Sequence, residues 1–101
     1  MSDEEKLISL KDRRKILRAA VTRYITKLEN FLAASEVTVE ELEETIETLN
    51  DKFKTLKIID NDIESLVKTE ELEKEFEATE KYADNFVLWK THGNKKIQES
   101  N

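Results

Sequence analysis

The sequence predicts an all-α fold, an elongated antiparallel three-helix bundle of coiled-coil character running up-down-up. Three observations carry that expectation. One glycine and no proline in 101 residues leave almost nothing from which to build hairpins or tight loops. Apolar residues recur at alternating spacings of three and four along most of the chain, the period of a helix face and not of a strand. Charged residues, at 40%, slightly outnumber the 38% that are apolar, a balance suited to long helices that bury one narrow seam and expose the rest.

The first helix is expected over residues 3–34. Ser2 can cap its N-terminus, with Glu5 as the other half of a capping box. Its seam places Leu7, Arg14, Val21 and Leu28 at one core position and Leu10, Leu17, Tyr24 and Phe31 at the other. The second helix is expected over 39–67. Thr38 and Glu41 form a second capping box, Glu40 suits the positive end of the helix dipole, and Val37 with Leu42 occupy the two positions of a hydrophobic staple. Its seam runs Val39, Leu42, Ile46, Leu49, Phe53, Leu56, Asp60, Ile63, Val67. A step of five from Val67 to Leu72 breaks the stripe, which reads as a short turn before a third helix over 70–92 that Thr69 can cap. That helix presents Leu72, Phe76, Thr79, Ala83 and Phe86, widened by Tyr82, Val87 and Trp89. Gly93, after His92, is read as its C-cap. Residues 1–93 thus form one bundle domain, and the polar stretch 94–101 is expected to be a disordered tail. Two short connections make consecutive helices antiparallel.

Composition narrows the function. With no Cys, disulfides and thiolate metal sites are excluded. No apolar run approaches the roughly 18 residues of a membrane span, and the opening Met1–Glu5 is too acidic for a secretory signal. A soluble, cytoplasmic chain without membrane contact is the expectation. The many carboxylates lie along helix faces with no pocket to perturb them, His92 has no second His beside it, and no Gly-rich phosphate loop or nucleophile motif occurs. A non-enzymatic protein with no cofactor and no metal follows.

The net charge of −6 is unevenly spread. Residues 1–34 carry eight Lys/Arg against five Asp/Glu, and residues 35–80 carry five against sixteen. Opposite signs on successive helices point first to internal pairing. The basic run Lys11, Arg13, Arg14, Lys15, Arg18 is a candidate basic face, built chiefly on Lys11, Arg13, Lys15 and Arg18. The favoured reading is that Lys11, Arg13 and Arg18, which flank the seam, face Glu73, Glu75, Glu77 and Glu80 on a parallel third helix; nucleic-acid binding is the less favoured one in so acidic a chain.

Two further features concern specificity and assembly. Arg14 and Asp60 each interrupt an otherwise apolar seam. With Leu32 set opposite Val39, Asp60 falls opposite Lys11 and Arg14 opposite Lys57, within one turn of each other, and the third helix brings Ala78 and Thr79 to the same level. A polar layer of Arg14, Asp60 and Thr79 is expected, with Lys11 as the alternative partner; the competing reading is that both charges snorkel to solvent. The use of such a layer is to fix register. Ile8, Ile16, Ile58 and Leu88 fall off the seams and, with Trp89, form a candidate assembly surface.

The stretch Lys11–Leu32, KDRRKILRAAVTRYITKLENFL, the acidic VEELEETIETLNDKFKTLKIIDNDIESL and the closing ELEKEFEATEKYADNFVLWK together resemble a helical domain family long labelled as of unknown function. That family is found near the N-terminus of Gag-like polyproteins of Pao/BEL-type LTR retrotransposons. The resemblance spans about residues 8–90 and rests on helical pattern, with no catalytic signature. It implies a structural segment that self-associates, in a retroelement Gag or a domesticated relative. The zinc knuckle of many Gag proteins has no counterpart here, since there is no Cys. The expected function is therefore assembly by helix–helix association, with self or another helical protein as partner. Two alternatives stand beside it: an unrelated helical adaptor that binds a partner protein through the Trp89 end, and a nucleic-acid-binding module using the basic first helix.

Overall fold

A computed structural model of the chain describes residues 2–100. Met1 and Asn101, assigned from the sequence to the bundle and to the tail, lie outside the described residues. Among those residues the structure is three helices and no strand: α1 Asp3–Ala33, α2 Val39–Glu64 and α3 Thr69–Ser100. α1 opens with the Glu5 N–H donating to Ser2 Oγ at 3.1 Å, with Asp3, Glu4 and Glu5 in its first turn. At α2 the capping box is complete. The Glu41 N–H donates to Thr38 Oγ1 at 3.0 Å, and the Thr38 N–H donates back to the Glu41 carboxylate at 3.1 Å. Val37 and Leu42 both join the main core. α2 stops at Glu64, short of the expected Val67, because the Leu66 and Val67 N–H groups both turn back onto the Ile63 carbonyl, at 2.9 and 3.0 Å. That tight turn sends the chain straight into α3.

The three helices lie side by side in a rod of 51 × 23 × 17 Å. α3 returns parallel to α1: Glu75 meets Arg14, Tyr82 lies beneath Arg18, and Gly93 approaches Leu28. α2 is antiparallel to α3, with Phe53 stacked on Phe86 at 4.1 Å and Ile46 against Gly93.

The end of α3 corrects the sequence reading. Gly93 is no C-cap; it has no positive φ, and the helix continues through it to Ser100. Gly93 is buried because its missing side chain lets α3 close on the bundle. A Cβ there would lie 2.7 Å from Ile46 Cδ1 and 3.3 Å from Leu28 Cδ1. One turn further, half-buried Ile97 packs on the same core. Residues 94–100, expected as a disordered tail, are therefore a last stretch of helix.

Val21, Leu28, Leu42, Leu49, Leu56 and Ile63 have almost no exposed surface. The buried stripes are wider than the seams, taking in Ala20 and Ile25 on α1 and Ile59 on α2, because each helix in a three-helix bundle faces two neighbours. On α3 the line that meets the other helices runs through Glu75, Thr79, Tyr82, Phe86 and Gly93. Phe76 and Val87 each sit one residue, about 100° of helix, past that line. Both are exposed, where the sequence pattern had put them in the core stripe. No helix is long and apolar enough to cross a membrane.

Candidate functional site

The main core cluster runs from Leu28 and Leu42 to Val21, Leu56 and Phe86. Ile59 and Ile63 are buried too but lie outside that cluster. Between the two apolar regions stands a layer of four charged side chains. Arg14 on α1 reaches Asp60 on α2, Nη1 to Oδ1 at 3.8 Å, and forms a two-pronged ion pair with Glu75 on α3, whose longer arm, Nη2 to Oε1, is 3.4 Å. Arg18, one turn along α1, brings Nη2 to 3.9 Å from the same Asp60 oxygen and lays its guanidinium over the Tyr82 ring, 4.7 Å from the centroid. The Asp60 side chain is only 4% exposed.

Burial and pairing act oppositely on the two acids. Desolvation pushes the Asp60 carboxyl above its usual range, and the nearby Arg18 and Arg14 counter this without reversing it. The Arg14 hydrogen bond holds Glu75 below its usual range. Half-buried Glu64 is raised by desolvation and by the charges of Asp60 and Glu75. Two positive and two negative side chains thus meet between the helices, one acid well satisfied and the other not: Asp60 Oδ1 and the Arg18 Nε and Nη2 atoms are buried without hydrogen-bond partners.

This layer differs from the expected one in composition. Arg14 and Asp60 do come together; Gly93 meets both Leu28 and Ile46, which sets those two level, and on that register Arg14 falls opposite Asp60 and not opposite Lys57. Thr79 reaches the right level, but its Oγ1 is buried and makes no hydrogen bond; Glu75, one turn earlier on α3, takes Arg14 instead. Lys11, the alternative partner, is exposed. Arg18 was not expected in the layer. The available signal was its place one turn after Arg14, on the same side of α1.

The expected basic face is divided. Lys11, Lys15 and Arg18 line one groove between α1 and α3, together with Arg14, Ala19, Thr22, Arg23 and Tyr82. Arg13 instead lines a different groove with Lys6, Leu10, Asp62 and Leu66, at the α1–α2 boundary, since two residues set it about 160° around the helix from Lys11 and Lys15. Of the acids proposed to face this run, Glu75 is the one that forms an ion pair.

The candidate assembly surface is also not one patch. Ile16 is 70% exposed and Ile58 56%, with Ile8 and Leu88 similarly open. Ile58 lies two residues from both buried Leu56 and buried Asp60, and Leu88 two from buried Phe86, so each is turned away from the bundle axis. They stand on different helices, facing outward in different directions. Trp89 is half-buried against the main core, its ring edge-on to His92 with centroids 5.3 Å apart, so it is a core residue more than a surface one.

Among the described residues no group of His, Cys, Asp and Glu is placed to hold a metal ion. The molecule is thus defined as a slender three-helix bundle with a charged layer through its core and isolated aliphatic side chains on its outside. No known protein family, characterised protein or solved structure matches this chain.

Proposed function

We propose that this chain is a non-catalytic assembly module that works by helix–helix association, as a segment of a Gag-like protein of the Pao/BEL retrotransposon kind or a domesticated relative. The observation that carries the reading is the exposure of large aliphatic side chains on the outward face of every helix: Ile8 and Ile16 on α1, Ile58 on α2, Val87 and Leu88 on α3. A bundle 17 Å thick at its narrowest spends most of its apolar residues on its own core. Each stands singly, and beside a long helix face such a side chain offers a second helix an apolar point of contact. Of the side chains with shifted titration, Asp60 and Glu75 belong to the interhelical layer and Glu64 is shifted by its own burial and their charges, which supports a structural use for them over a chemical one. The Gag-like character rests on the sequence resemblance of residues 8–90 alone.

The test is mutational. Ile16→Asp and Ile58→Asp should each weaken self-association at least tenfold by sedimentation, while moving unfolding stability by no more than about 0.5 kcal/mol, as exposed positions do. Unchanged association in both variants would remove these faces from the function.

A further inference from the structure

Resting on the assembly reading, we propose that the groove between α1 and α3 receives the outward face of α2 from a second copy of this chain. The groove is basic. Lys11, Lys15 and Arg18 follow one another at spacings of four and three, Thr22 comes four later, and Arg23 stands beside it. Arg14 and Arg18 are matched by Asp60 and Glu75, but Lys11, Lys15 and Arg23 make no ion pair among the described residues. The opposite charge is displayed elsewhere on the molecule. Glu40, Glu44, Glu47 and Asp51 follow at spacings of four, three and four along α2 and are all exposed. Each lies two residues from buried Leu42 or Leu49, hence directly away from the core. None of the four has an ion-pair partner among the described residues. Two turns past Asp51 the same line reaches exposed Ile58.

The acidic line and the basic groove therefore have the same helical period and about the same length, on the order of 16 Å for eleven residues. Like periods let charges meet at several successive turns. A single-stranded nucleic acid fits the groove less well: among the described residues only three of its cations are free of an ion pair, and the chain carries −6 overall. Groove and acidic line occupy different faces, so the contact is head-to-tail. Each copy added leaves one groove and one acidic face open, and the array can grow.

Charge exchange on the full chain tests this. One variant carries Lys11→Glu with Lys15→Glu; the other carries Glu44→Lys with Glu47→Lys. All four side chains are exposed, and circular dichroism checks that both variants remain helical. At low salt each variant alone should associate at least tenfold more weakly than the wild type, and their equimolar mixture should recover wild-type association. Recovery follows because the unaltered acidic face of the first meets the unaltered groove of the second, while the two altered faces also match. A mixture no more associated than its components overturns the proposal. So does wild-type association in either variant alone, a result that leaves assembly intact and moves it to other faces. If a single-stranded RNA binds the wild type, is lost by the lysine variant, and the mixture stays dissociated, the groove takes a polyanion and the proposal falls. A wild-type chain that stays monomeric at every concentration removes the assembly reading together with this one.

Discussion

Burying the Asp60 carboxylate removes it from water, and two arginines at nearly 4 Å replace that hydration only in part. Its raised pKa is the mark of that imbalance. The layer holds because charges cancel across it, with Arg14 committed to Glu75 and Arg18 left to Asp60 and the Tyr82 ring. Removing Asp60 alone should therefore strand Arg18. Asp60→Ala is expected to cost about 3–5 kcal/mol, the range for breaking one side of a buried pair, and less than half of that in an Arg18→Leu background. Urea unfolding of the four proteins measures the difference; equal costs in both backgrounds would show that the two side chains are not coupled. At this scale the sequence exposed Arg14 and Asp60 because each breaks a regular apolar seam. It also set Arg18 and Glu75 among charges expected to face each other across the seams but left them out of the buried layer, since a flanking charge looks the same whether a neighbour covers it or water does.

Among the elements, the start of α2 was fully legible: Thr38, Glu41, Val37 and Leu42 each have a local role that needs no tertiary contact. The course of α3 was not. Gly93 after His92 carries the local signature of a helix end, yet its use is to let two helices touch, and that depends on Ile46 and Leu28 from far along the chain. The same blindness placed Phe76 and Val87 in the core, because a periodic pattern on one helix cannot say which edge of a wide stripe the two neighbours will cover. Gly93 gives this account a direct test. A leucine there would gain helix propensity but must be housed where even a Cβ would collide with the Ile46 side chain. Gly93→Leu is expected to destabilise the bundle by about 1–3 kcal/mol, the cost of overpacking. It should also loosen residues 94–100, seen as faster amide exchange. A variant as stable as the wild type, with equal protection there, would show that α3 is not held at this point.

For the whole molecule, helix count and direction followed from composition and period, which are properties of the entire chain. Function follows less directly, since nothing in a helical period says what meets its outer face. The outside of this rod nevertheless has a definite pattern: a basic groove between α1 and α3, an acidic line along α2, and aliphatic side chains beyond the core on all three helices. That pattern is what the proposed array would use. The most direct measurement is sedimentation equilibrium of the unmodified chain from micromolar to millimolar concentration at low and high salt. The expected result is a weight-average mass that climbs steadily with concentration above 11.9 kDa and climbs less at high salt, because charges guide the contact. A mass fixed at that of one chain throughout the range would contradict assembly as this protein's function.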